Sequence, residues 1–332
     1  VRGENGGPRR WTRGPALALR TPLGNRKRPV LASGLSPFVQ VTDAAAAVRE
    51  MQRQASQGAD WIRLREQVPP DAVRAVVKGA RTAQVKVSLS PWATSMLQAA
   101  QAGIDLLDGL GNPVKPPAEA PPPALNLADP HAASFVAPAD PATGIAEAWA
   151  RLSPADQRTL VTQLVKSRTP VAPALYALAV LAGQDDPAGD FVHLPESVRK
   201  DVAATVAAAA AADRVIRQQA FARQLEFVKA FHDAGGRLVT SSGAGANGWP
   251  VPGLAIHHEL RWLVQAGLTP AEALRAATLS GAEVLGERLG GQLRPGAPAN
   301  FFAVKGDPLA DLAALSEIAF VVRNGEKVEN RK

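Results

Sequence analysis

The sequence predicts an α/β fold built on a parallel sheet, and two observations carry that expectation. Between residues 29 and 107, short apolar runs alternate with segments of helical period, joined by connections of only a few residues. Hydrophobic residues make up 46% of the 332 and charged residues 20%, enough apolar side chains for a sizeable core. An open doubly wound sheet and a closed barrel both satisfy this pattern.

The elements follow in order. Residues 1–28 are rich in Gly, Pro and Arg and are expected to be poorly structured. Residues 29–34 form a short apolar run ending at Gly34, which suits a buried strand. Thr42 or Asp43 caps a helix to about Gln57, with Ala46, Val48, Met51 and Ala55 as its apolar side and Gly58 as its stop. Residues 60–64 are a second strand, and Pro70 and Asp71 open a helix to about Ala83. Residues 85–90 are a third strand, 94–102 a helix ending at Gly103, and 104–107 a fourth strand. Nine prolines from Pro113 to Pro141 then break the rhythm, so residues 112–144 are expected to be an extended surface insertion.

Beyond it, Ser153 starts a helix to Lys166, residues 169–172 are a short strand, and 174–182 a helix. A long helical segment spans about 195–234, and 237–241 is strand-like after Gly235-Gly236. Thr269-Pro-Ala-Glu272 is a capping box, in which hydroxyl and carboxylate reciprocally satisfy free amides. Residues 301–304 and 318–322 read as strands, the second closed by the turn Asn324-Gly325.

Composition excludes several classes. The net charge is +7, but the basic residues are scattered apart from Arg9, Arg10, Arg13, Arg20, Arg26, Lys27 and Arg28, with Trp11 as the one aromatic among them. A solvated basic segment explains this better than a nucleic-acid surface. The absence of cysteine excludes disulfides, thiolate metal sites and a cysteine nucleophile. No segment reaches the ~20 apolar residues of a membrane span. The alanine-rich run 202–212 is too short and is flanked by Lys200, Asp201, Asp213 and Arg214. The first residues show no apolar signal-peptide core, so a soluble chain is expected, with the compartment open.

One long run has a specific likeness. It comprises Pro252-Gly-Leu-Ala-Ile-His-His-Glu-Leu260 and Leu263 through Thr278. It continues with Ala282, Leu285-Gly286, Leu289-Gly290, Pro295-Gly296, Asp307-Pro308-Leu309 and Val321 to Gly325. This resembles the end of amidohydrolase-superfamily enzymes of the imidazolonepropionase-like and prolidase-like kind. Weaker echoes occur, in order, at 30–34, 58–64, 103–109 and 232–245. The resemblance favours the barrel: a (β/α)8 TIM-type barrel lacking its first strand or strands, with a remnant of the small C-terminal β-domain. The implied division is a basic segment 1–28, a barrel 29–290 with the insertion at 112–144, and a β-domain remnant 291–332.

The resemblance also implies chemistry: hydrolysis of C–N bonds in non-peptide or dipeptide amides, with zinc or another divalent metal activating water. The family's ligands are a His-x-His pair, often a carboxylated lysine, two further histidines and an aspartate that also acts as general base. The His-x-His pair is absent here. The lysine position holds Arg63, whose guanidinium stays cationic and repels metal. The two later histidine positions hold Ser88 (or Ser90) and Gly109 (or Asp108), and the aspartate position holds Gly243 (or Ser242). A serine is a feeble ligand and a glycine side chain none. No metal is therefore expected.

The five histidines offer no replacement. His257 and His258 are adjacent at a helix start and point in different directions, which suits structural roles. His232 lies near a helix end, where a cation is favoured. His131 and His193 lack partners at ligand spacing. Ser90, Ser241 and Ser242 stand outside any G-x-S-x-G elbow. Asp105 and Asp108 suit loop solvation, and the glycine-rich 243–248 follows the family pattern. Arg63, Ser242, Trp249 and His257 are the pocket candidates. The expected function is a family member that has lost hydrolysis. The alternatives are a binding or scaffold subunit, paired with an active homologue, a complementing fragment or its own copies, and an active hydrolase with a non-standard site.

Overall fold

The computed structural model describes residues 13–16, 41, 43–65, 68–114, 139–211, 213–243 and 250–328. The strand expected at 29–34 lies outside them. The first half runs β1 (Arg13–Ala16), α1 (Ala44–Ser56), β2 (Trp61–Leu64), α2 (Pro70–Thr82), β3 (Lys86–Leu89), α3 (Met96–Ala102), β4 (Leu106–Asp108), α4 (Ala139–Ala150), α5 (Pro154–Lys166) and β5 (Val171–Ala172). Four helices follow: α6 (Leu175–Leu181), α7 (Ala188–Phe191), α8 (Glu196–Ala211) and α9 (Arg214–Asp233). Then come α10 (Ala255–Gln265), α11 (Pro270–Ala277) and α12 (Leu279–Leu285), and a sheet of β6 (Phe301–Val304), β7 (Ile318–Arg323) and β8 (Glu326–Val328).

The first five strands form one sheet in the order β1-β2-β3-β4-β5, every pair parallel. A parallel bridge from Val171 to Leu238 adds the segment after α9 as the next neighbour. Spatial order therefore follows chain order without reversal. A doubly wound sheet reverses at a switch point, which puts helices on both faces. Right-handed crossovers without reversal put every helix on one face, as in a (β/α)8 barrel. The sheet is that part of a TIM-type barrel.

The two faces are told apart by their packing. Ile62, Leu64, Val87, Leu89, Leu107, Val171 and Leu238 point outward into the main core, among Met51, Val73, Val76, Met96, Leu160 and Phe227 of the helices. Trp61, Leu106, Ala172 and Val239 form a separate cluster on the inner face with Val284 of α12. Alternation along each strand produces this division, because successive side chains leave opposite faces.

Local sequence explains the helices. In α2 the buried stripe is Ala72, Val73, Val76, Val77 and Ala80, a helical spacing that turns one face to the core. Each buried valine contributes roughly 1.5–3 kcal/mol. In α1 the stripe centres on Ala47, Met51 and Gln54, one position beyond the expected Ala46. Asp43 caps it, accepting from the Ala46 amide at 2.7 Å. In α3, Ser95 and Gln98 form a capping box, and Gly103 closes the helix at φ +79°.

Three expectations are corrected. Residues 13–16, placed in a poorly structured segment, form β1, with Arg13 opposite Trp61 and Ala16 opposite Arg63. Glycine and proline conceal this strand from local propensity, but proline is tolerated at a sheet edge, where β1 lies among the described strands. The end of the expected extended insertion is helical, since α4 begins at Ala139. Pro141 falls in its first turn, where an N–H has no intrahelical acceptor to lose. Residues 115–138 lie outside the description, while Asn112 is fully buried. The long helix expected over 195–234 is two helices, broken at Asp213, which takes the left-handed conformation at φ +45°. Aspartate is among the few residues that tolerate it.

The small sheet β6-β7-β8 is antiparallel, and Asn324-Gly325 closes the β7–β8 hairpin as expected. No helix of the described residues is long and apolar enough to cross a membrane. The capping box at α11 is present in full. The Thr269 amide donates to Glu272 at 2.8 Å and the Glu272 amide donates to the Thr269 hydroxyl at 3.3 Å. The Thr269 amide and hydroxyl, with His232, hold the Glu272 carboxyl down to about 2. Replacing Thr269 by Ala is expected to cost about 1 kcal/mol, read as a lower urea midpoint at unchanged m-value.

Candidate functional site at the strand ends

Barrel enzymes place their sites at the C-terminal ends of the strands. On the inner face these ends carry a polar layer above the apolar cluster of Trp61, Leu106, Ala172 and Val239. Cross-strand partners share a face, and the register pairs Arg63 with Ser88 and Asp108 with Ala172. Arg63, Ser88 and Asp108 therefore project inward from three adjacent strands.

The Arg63 Nη2 lies 2.7 Å from the Asp108 carboxylate and donates to the Ser90 hydroxyl at 3.3 Å. The Arg63 and Asp108 side chains are only 19% and 12% exposed. This is a sheltered pair, whose disruption by removal of one partner costs about 3–5 kcal/mol, unlike a surface bridge. The Arg63 Nε–H is buried without an acceptor among the described residues. Ser88 is buried beside it.

The turn after β4 is shaped by glycine. Gly109 has φ +99°, which disfavours any larger residue, and its amide donates to Ala172 at 2.8 Å. At Gly111 a Cβ would stand 1.5 Å from the Pro91 carbonyl oxygen, so only glycine fits. That close approach seats Asn112, whose side-chain amide donates to the Trp92 carbonyl at 2.7 Å, and Trp149 donates to the Gly111 carbonyl at 2.7 Å.

The structure thus brings together Arg63, Ser88, Ser90 and Asp108. Ser242 and Gly243 lie in the segment that follows Leu238, and the Gly243 amide donates to the Ser241 hydroxyl at 3.4 Å. Trp249 lies outside the described residues. His257 is on α10, with Nδ1 buried and unpartnered among the described residues. Burial, then His258, lowers its pKa.

Its neighbours on α10 form a network that sequence did not announce. Arg261 donates through Nη2 to His258 Nδ1 at 3.1 Å. A guanidinium only donates, so Nε2 carries the imidazole proton and gives it to Asp190 Oδ1 at 3.0 Å. Tyr176, the single tyrosine, stacks on His258 at 4.2 Å and donates to Asp190 Oδ2 at 2.6 Å. Burial and Asp190 push its phenol upward. Asp185 accepts from Arg261 and, at 2.7 Å, from Trp262. The contacts join α6, the turn and helix after it, and α10.

A divalent metal does not fit the strand-end residues. Among the described strand-end residues the one carboxylate, Asp108, is engaged by a guanidinium, the serines are weak donors, and glycine offers none. Among the described residues no three His, Asp or Glu side chains form a group able to hold a metal ion.

Glu259 is fully buried and accepts from the Tyr176 amide at 2.9 Å, with its Oε1 unpartnered among the described residues. Burial raises its carboxyl to about 7, against the lowering effect of amides at Tyr176, Leu175 and Ala174. A raised carboxyl binds its proton more tightly when folded. Its contribution is full below the ordinary value of 4.5 and is lost as pH rises through about 7. Across that window wild type is expected to lose about 3 kcal/mol relative to Glu259→Gln. Urea unfolding of both proteins at pH 4.5 and pH 8 checks this, and parallel pH profiles would contradict it.

Comparison with known proteins agrees with this architecture. The profile of the amidohydrolase family matches residues 140–328, more than half of the chain. Among solved structures the chain is similar to a putative prolidase from Bifidobacterium longum, at 19% identity, covering 98% of this chain and 67% of that one with TM-score 0.60. It is also similar to a Xaa-Pro dipeptidase with bound methionine in the active site, at 17% identity, covering 87% and 59% with TM-score 0.57. Bottromycin amidohydrolase matches at 19% identity, covering 87% and 60% with TM-score 0.57. The last two likenesses span about 60% of those proteins' length, and at such identities all three concern the fold. No curated protein sequence matches the chain. The unreversed parallel sheet and the profile match together make this chain a member of the amidohydrolase family.

Proposed function

We propose that this chain is an amidohydrolase-family protein that does not carry out metal-dependent hydrolysis at its strand ends. The Arg63–Asp108 pair carries the proposal, because a fixed cation occupies the surroundings of the only carboxylate among the strand-end residues named above. The solved neighbours include a dipeptidase and an amidohydrolase, which supports descent from enzymes of C–N bonds in dipeptides or other amides. The barrel unit is proposed to run from β1 at 13–16 to residue 290, with 291–332 as the remnant of the family's small β-domain.

A scaffold role beside an active homologue has its own supporting observation. Phe302, Ile318, Phe320, Val321 and Val328 of the small sheet are exposed, a concentration of apolar surface that favours contact with another chain. Light scattering on the purified chain, alone and mixed with an active homologue, tests it. A mass of one chain in both samples would sink the scaffold role.

For the main proposal, elemental analysis of purified protein is expected to find metal well below one ion per chain. Xaa-Pro dipeptides and N-acyl amino acids are expected to remain uncleaved after zinc or manganese is added. Stoichiometric metal with chelator-sensitive turnover would overturn it.

A further inference from the structure

We infer that the Arg63 guanidinium takes the electrostatic place of a divalent cation on the inner face of the barrel, so that the folding of this chain is uncoupled from metal. The inference rests on the proposal above but concerns stability, which is measured separately from turnover.

Asp108 projects inward from β4 with its side chain 12% exposed. A carboxylate so placed needs a cation, because burial removes the water that would otherwise stabilise its charge. A metalloprotein takes that cation from solution, and its stability then rises with metal concentration. Here β2 supplies the cation covalently. The single Nη2 reaches Asp108 on β4 and Ser90 just beyond β3, so one charge ties three adjacent strands. The pair is neutral in sum, and a divalent ion brought to Asp108 would meet a fixed guanidinium at contact distance. The Nε–H has no acceptor among the described residues, so the bonding of the guanidinium there runs through Nη2.

Thermal unfolding of the full chain tests this. Wild-type Tm is expected to stay within about 1 °C in EDTA and in added zinc or manganese, since a protein that binds no stabilising metal shows no linkage. Arg63→Met and Asp108→Leu each strand one buried charge and are expected to lower Tm by roughly 5 °C. The double variant removes both charges and is expected to recover most of that loss. If the single variants fail to fold, a folded double variant still reports the coupling. A double variant that loses the sum of the two single losses, or fails to fold, overturns the inference. So does a wild-type Tm that rises by several degrees with zinc or falls in EDTA. Turnover by metal-supplied wild type with the coupling intact would remove only the proposed loss of hydrolysis. Absent turnover without coupling would remove only this inference.

Discussion

A carboxylate on the inner face of a parallel barrel has to meet a positive charge, and in this chain the charge comes from Arg63. The contact to Asp108 at 2.7 Å spans the ends of β2 and β4 across the intervening β3, where Ser90 takes a second bond. Strand alternation makes it possible. Ile62 and Leu64 turn outward to the helices while Trp61 and Arg63 turn inward. A slip of one residue in β2 would bury the guanidinium among Met51, Val73 and Val76 and expose its apolar neighbours. The register of the sheet and the position of the charge are thus one constraint.

The surroundings of the pair are tightly built. Gly109 turns the chain where a larger residue would be strained, and Gly111 passes so close to Pro91 that no side chain fits. Asn112 and Trp149 then bond the backbone of Trp92 and Gly111. Polar groups here hold the ends of neighbouring strands together. The cluster of Tyr176, Asp190, His258, Arg261, Asp185 and Trp262 does the same for the helices around α10. Glu259 completes the connection by accepting from the Tyr176 amide in the first turn of α6. These buried bonds tie elements that are far apart in sequence, while Glu259 Oε1 and Asn112 Oδ1 have no partner among the described residues.

Much of the fold was legible because its signals are local. Asp43, Ser153 and Thr269 cap helices by bonding amides three residues on, so the pattern is written in neighbouring letters. Gly103 and Asn324-Gly325 mark their turns for the same reason. What escaped depends on distant partners. The strand β1 has the composition of a loop and is a strand because β2 pairs with it. The break at Asp213 lies in a run whose helical propensity is continuous on both sides.

The site divides in the same way. The sequence by itself determined that Arg63, Ser88, Gly109 and Gly243, the positions its resemblance to the family points to, carry side chains unsuited to a metal, because residue identity alone decides whether a side chain can bind one. It named Asp108 and Ser90 as alternatives without joining them to Arg63. Only the tertiary structure decided that these three meet, since the contact needs the parallel register of β2, β3 and β4. Tyr176, Asp190 and Glu259 became visible only through burial and hydrogen bonding. A buried carboxyl and an exposed one are the same letter, and what separates them is the packing of helices that the chain brings together from far apart.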